Sequence, residues 1–222
     1  LTYSQNFEDV KGAFLVVEAV PEKIEIKKDT FKKVDELADA ETIIVSNTSG
    51  LSISEIASVT NRQDKVMGAH FFYPAPVMKL LELVRGLVTS DETYDVVKEF
   101  AGKIGKTTVD APEFPGFMVN RILVPMQNEA AFMVMEGSKP EDVDNAMKLG
   151  CNHPMGPIEL TDFVGIDTML ATMTGLYNGF HDSKYRPCPL LETMVKSGML
   201  GKKTGQGFYK YDEKGNKIGS NF

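Results

Sequence analysis

Short apolar runs rich in β-branched residues alternate with amphipathic helical stretches through the first half of this chain. That alternation constrains the fold more than any other feature. Residues 13–19 (Ala-Phe-Leu-Val-Val-Glu-Ala) show no polar–apolar alternation and read as a strand covered on both faces. Pro21 stands where a first helical turn tolerates proline. From there to Ala38 one stripe holds Ile24, Phe31, Val34 and Ala38, with lysines elsewhere. A second buried strand spans 42–46, the turn 47–50 follows, and Ser52 with Glu55 suits a capping box for a short helix. Residues 65–69 form a third strand that delivers His70 at its end. A fourth strand covers 80–88. Ser90 caps a helix striped by Tyr94, Val97, Ala101 and Ile104, and 107–109 add a last short strand. This order implies a layered α/β domain with a mostly parallel sheet.

The character changes at 110–115, where two prolines mark a domain edge. A first domain over 1–111 and a second over 112–222 follow from it. The second reads as helical. Residues 117–135 are apolar on most sides, as in a central helix covered by neighbours or by a partner subunit. Ser138 and Glu141 suggest another capping box, with Pro140 in the first turn and Gly150 as the C-cap. Further helices run over 158–176 and 190–196, and the glycine-rich stretch 201–209 reads as a loop. The net charge of −7 and the lack of a basic cluster argue against duplex nucleic acid as a partner. No run of about 18 apolar residues suggests a membrane span. Cys151 and Cys188 do not form a CxxC pair and read as reduced thiols, so no metal site is expected and the cytoplasm is the expected compartment. The chain opens on Leu1 and enters an apolar strand almost at once, which reads as entry into the middle of a fold and suggests a fragment or a processed chain.

Four features could carry chemistry. Ser46-Asn47-Thr48-Ser49 lies at the carboxyl end of a strand, where open α/β sheets bind ligands, although a capped turn uses the same residues. His70 holds the same position on the next strand, and imidazole exchanges protons near neutral pH; a lone histidine is more often structural. Glu82 stands among four aliphatic residues, and burial of its carboxylate would be costly without a partner such as His70. Asn120 could bond a substrate at the domain boundary, or only local backbone.

Taken in order, these segments resemble a known family. Residues 16–22 (Val-Val-Glu-Ala-Val-Pro-Glu), 46–49, 68–82 (Gly-Ala-His-Phe-Phe-Tyr-Pro-Ala-Pro-Val-Met-Lys-Leu-Leu-Glu) and 115–121 (Pro-Gly-Phe-Met-Val-Asn-Arg) are similar to the motif series of 3-hydroxyacyl-CoA dehydrogenases. So are Pro154-Met155-Gly156-Pro157 and 201–209. The nearest flavour is the short bacterial 3-hydroxybutyryl-CoA type. The resemblance implies an α/β Rossmann-like domain followed by an all-α domain that forms a homodimer, with NAD as cofactor and an acyl-CoA bound in the cleft between domains. It implies that His70 takes the 3-hydroxyl proton while hydride leaves for NAD, that Glu82 pairs with His70, and that Ser49 and Asn120 bond the reacting end of the substrate. On the cofactor side it implies Ala19, Glu22, Lys27, Asn47, Ser49 and Tyr73. The protein supplies position and proton transfer.

Two departures stand out. Members open with a strand and a GxGxxG loop, which these 222 residues do not contain. The expectation is a Rossmann domain short of its N-terminal glycine-rich part, and weak NAD binding by the chain as given. Tyr73 stands where many members carry asparagine, and should alter the nicotinamide or acyl pocket. Three alternatives remain: a gulonate-type hydroxy-acid dehydrogenase, one piece of a multifunctional fatty-acid oxidation protein, and a non-catalytic truncated helical dimer. The run Pro76-Val77-Met78-Lys79-Leu80 favours the acyl-CoA type over the first, and an ending soon after the Gly205–Tyr209 motif suits a stand-alone enzyme better than the second.

Overall fold

A computed structural model describes residues 3–222. The chain forms two compact units, one reaching to Met118 and the other spanning Val119–Phe222. Among the described residues no helix is long and apolar enough to cross a membrane.

The first unit is a five-stranded sheet in the order β1 (Leu15–Glu18), β2 (Ile43–Ser46), β3 (Val66–Phe71), β4 (Leu80–Arg85), β5 (Thr107–Ala111). The pairings β1–β2, β2–β3 and β4–β5 are parallel and β3–β4 is antiparallel. Helices α1 (Ile24–Leu37) and α2 (Ile53–Ala57) cover one face, where Phe31, Val34, Ile53 and Ile56 pack on Ile44, Val66 and Val84. Helix α3 (Asp91–Lys103) covers the other, packing Val97 and Ala101 against Val45, Met67, Leu81 and Leu83. With both faces buried, β2, β3 and β4 read as largely apolar runs, while the edge strands β1 and β5 keep exposed positions such as Val17 and Asp110. Ser52 and Ser90 cap α2 and α3 through the amides of Glu55 and Thr93, as the sequence predicts. Helix α1 starts later than expected: Lys23 is its N-cap, and Pro21 precedes it.

The second unit holds α4 (Val119–Met135), α5 (Pro140–Cys151), α6 (Pro157–Val164), α7 (Ile166–Phe180) and α8 (Pro189–Lys196), followed by a hairpin of β6 (Tyr209–Tyr211) and β7 (Lys217–Ser220). Its core joins Ala131, Ile158, Ile166, Met173, Cys188, Leu191 and Phe208. Both cysteines are free, Cys151 exposed and Cys188 buried.

Several boundaries differ from the sequence reading, each for a local reason. The helix expected from residue 117 starts at Val119, because Phe117 takes the left-handed conformation (φ 49°) and its side chain is buried in the core of the first unit. The N-cap of α5 is Lys139 rather than Ser138, and its C-cap is the left-handed Asn152 rather than Gly150. The stretch 158–176 is two helices, broken at Gly165, whose φ of 106° no helix continues through. The hairpin after 201–209 was not anticipated, because strands of three and four residues leave too short a pattern to read.

Candidate active site

The antiparallel register of β3 and β4 sets His70 directly opposite Glu82. Facing residues of neighbouring strands point to the same side of the sheet. The twelve-residue spacing in sequence thus becomes a direct contact, with His70 Nδ1 2.7 Å from Glu82 Oε2. Glu82 is fully buried and His70 nearly so. A buried carboxylate at Nδ1 fixes the ring orientation and favours the tautomer with its proton on Nδ1, which leaves Nε2 as the basic nitrogen. The second oxygen, Glu82 Oε1, accepts from the Met118 amide at 3.1 Å. The rings of Phe72 and Phe117 lie 4.5 Å and 5.8 Å from the His70 ring, giving the imidazole an apolar surround.

The carboxyl ends of β1 and β2 carry a second polar network. Glu18, buried at the end of β1, accepts from Lys27 Nζ at 2.8 Å, Ser46 Oγ at 2.6 Å and the Val20 amide at 2.6 Å. Lys27 is fully buried too, and its ammonium also lies 3.3 Å from Glu22 Oε2. Glu22 Oε1 accepts from Thr48 Oγ1 at 2.5 Å and from the Ser49 amide at 2.8 Å. Asn47 Oδ1 takes the Phe71 amide at 2.8 Å, joining this turn to the residue after His70. Ala19 is exposed beside these groups, and Tyr73 is exposed on the loop between β3 and β4. Lys106 holds that loop, donating to the carbonyls of Ala75 and Met78.

The first unit therefore brings together His70 with Glu82, and Glu22 with Lys27 and Ser49. Asn120 is the second residue of α4, in the other unit. Sequence reasoning missed Glu18. The argument that singled out Glu82, a carboxylate among aliphatic residues, extends to Glu18 in Val16-Val17-Glu18-Ala19-Val20 and could have found it. It also missed Glu113 and Phe117, whose positions depend on tertiary contacts.

This arrangement has known counterparts. The description "3-hydroxyacyl-CoA dehydrogenase, NAD binding domain" matches residues 1–114, and "3-hydroxyacyl-CoA dehydrogenase, C-terminal domain" matches 116–211. This chain belongs to the 3-hydroxyacyl-CoA dehydrogenase family. It is 54% identical over 215 residues to a probable 3-hydroxybutyryl-CoA dehydrogenase of Bacillus subtilis, covering 96% of this chain and 75% of the relative. A 3-hydroxybutyryl-CoA dehydrogenase of Clostridioides difficile is 52% identical over 209 residues, covering 94% of this chain and 74% of the relative. The crystal structure of (S)-3-hydroxybutyryl-CoA dehydrogenase from Ralstonia eutropha superposes with a TM-score of 0.92 at 48% identity, over 95% of this chain and 75% of that one.

The residues present suit one end of the NAD that this family uses. Three parallel strands end side by side in Glu18, Ser46 and Phe71, the edge at which open sheets receive nucleotides. The half-exposed Glu22 carboxylate can accept from ribose hydroxyls, and Ala19 is exposed beside it. The two family motifs of the helical unit have a different role. Gly156 and Gly207 leave the space that the Asp144 and Asp162 side chains fill, so a Cβ at either position would overlap a carboxylate. Asp144 accepts from the Ile158 and Glu159 amides and from Tyr209 Oη; Asp162 accepts from the Phe208 and Tyr209 amides and from Tyr211 Oη. Those motifs clamp the hairpin to α5 and α6.

Proposed function

We propose that the chain interconverts (S)-3-hydroxyacyl-CoA and 3-ketoacyl-CoA, with 3-hydroxybutyryl-CoA as the preferred substrate. The names of the relatives support that acyl chain. The observation that carries the reading is the buried His70 Nδ1–Glu82 Oε2 contact of 2.7 Å at the carboxyl end of β3. In the oxidative direction His70 Nε2 accepts the 3-hydroxyl proton, and Glu82 stabilises the resulting imidazolium; in reduction His70 returns the proton to the carbonyl oxygen. NAD, when bound, supplies the hydride acceptor. Glu22, Lys27, Ala19, Asn47, Ser49 and Tyr73 form the cofactor side, and Ser49 with Asn120 holds the reacting oxygen. Lys27 acts there mainly by orienting Glu22, since its own ammonium is enclosed by Glu18 and Glu22. Replacing Tyr73 by asparagine should change the KM for cofactor or acyl substrate.

We place the protein in the cytoplasm as a homodimer formed through the helical unit. Exposed apolar side chains there, Ile122 and Leu149 above all, support the dimer, and sedimentation equilibrium checks it. The decisive assay follows NADH absorbance with acetoacetyl-CoA. Turnover should fall at least about 100-fold in His70→Ala. A His70→Ala variant with unchanged turnover would remove His70 from the mechanism.

A further inference from the structure

We propose that Glu113 is a positioning residue for the His70–Glu82 pair, acting through the strap of residues 113–118. The proposal rests on the reading of His70 as the acid/base group.

The strap is anchored at both ends. At its start the Glu113 carboxylate accepts from Ser52 Oγ at 2.8 Å, the Ser54 amide at 2.6 Å and Ser54 Oγ at 2.6 Å. Ser54 Oγ in turn accepts from the Leu87 amide at 2.8 Å, just beyond the strand that carries Glu82. At the far end the Met118 amide donates to Glu82 Oε1 at 3.1 Å. Between these anchors the strap lies close against the turn after β2: a Cβ on Gly50 would sit 2.9 Å from the Gly116 nitrogen. Phe117 follows in the left-handed region at φ 49°, and this places its buried ring 5.8 Å from the imidazole.

A non-glycine residue in that region costs on the order of 1 kcal/mol or more and persists only where its surroundings hold it. Glu113 and Glu82 are the carboxylates that hold the two ends. Releasing the Glu113 end lets Phe117 relax and draws the Met118 amide from Glu82 Oε1. The carboxylate can then turn, and the direction in which Oε2 meets His70 Nδ1 changes with it. Glu113 touches neither substrate nor cofactor in this account. It fixes the angle of the pair.

The test uses nuclear magnetic resonance on the full chain without ligand, reading the His70 Nδ1 proton signal and the exchange of the Met118 amide. Exchange is normalised to the Met67 and Val84 amides of β3 and β4. In Glu113→Ala, Met118 exchange should accelerate roughly tenfold or more relative to that core, and the Nδ1 signal should move or broaden. Glu113→Gln keeps one oxygen as acceptor for Ser52 Oγ and the Ser54 amide, loses only the bond from Ser54 Oγ, and should restore most of both effects. If Glu113→Ala does not fold, Ser54→Ala carries the test and should shift both signals in the same direction by less. A lowered melting temperature with both signals unchanged overturns the proposal, as does a Gln variant that behaves like the Ala variant. These readouts need no turnover, so an active His70→Ala variant would end the acid/base reading while leaving the strap's effect on the imidazole to be judged by itself.

Discussion

Glu18 and Glu82 in the α/β unit and Asp144 and Asp162 in the helical unit are all carboxylates buried to within a few per cent. Their partners differ. Glu18 meets the Lys27 ammonium and Glu82 meets the His70 imidazole, groups that carry or can take up a proton. Asp144 and Asp162 meet backbone amides and tyrosine hydroxyls, donors that do not titrate near neutral pH. Burial pushes the Asp162 carboxyl up to about 6 and also raises Asp144, against the pull of those donors. Equal burial thus serves two ends. Beside a titratable partner at the carboxyl end of a strand, a carboxylate can support chemistry; ringed by fixed donors, it folds a hairpin.

The largest expected effect tests the chemical side of that contrast. Glu82→Gln keeps an acceptor for the Met118 amide but can offer an amide N–H to His70 Nδ1, which favours the wrong tautomer. Turnover in the NADH assay should fall about 100- to 10,000-fold, with a small change in melting temperature. Near-normal turnover would place Glu82 with the structural carboxylates.

Next in size is Lys27→Met. It leaves Glu18 buried without its cation, so the α/β unit should lose about 3–5 kcal/mol in urea unfolding. Adding Glu18→Gln should recover part of that loss, because the stranded charge is gone. Additive losses in the double variant would show that the ion pair is not what holds the two residues.

Gly207→Ala probes the helical unit in the same way. The new Cβ overlaps the Asp162 carboxylate, and overpacking of this kind costs about 1–3 kcal/mol. Stability should drop while turnover per folded molecule stays close to normal. A turnover loss exceeding the loss of folded protein would give this motif a part in the chemistry.

How far these roles could be read in advance depended on the range of the contacts. The alternation of buried strands and amphipathic helices was legible, since the central strands β2, β3 and β4 are covered on both faces and the helices against them bury one stripe. Glu82 was legible because a carboxylate among aliphatic residues implies a partner. The family resemblance named Gly156 and the 201–209 stretch but gave them no physical reason, because their Asp144 and Asp162 partners are non-local: 12 residues separate Gly156 from Asp144 and 45 separate Gly207 from Asp162. The register that faces His70 with Glu82 and the left-handed Phe117 depend on packing, which no local pattern encodes.

The smallest effect is also the most direct comparison of the two kinds of carboxylate. The folded Asp162 carboxyl holds its proton more tightly than the ordinary value of 3.8, up to about 6. A group raised on folding contributes stability that is complete below its unfolded value and is lost as pH rises through its folded value. The hairpin should therefore be better held at pH 5 than at pH 7.5, by about 1.4 kcal/mol, or roughly tenfold in local opening. The Phe208 and Tyr209 amides, which donate to Asp162, report this opening through hydrogen exchange corrected for its intrinsic pH dependence. Their protection should increase toward pH 5 in the wild-type chain, and that increase should vanish in Asp162→Asn, whose side chain does not titrate. The variant should also be less protected at every pH, because its amide N–H faces donors where the carboxylate accepted them. If protection instead fell toward pH 5, the three donors would outweigh burial, and Asp162 would be held as the anion throughout.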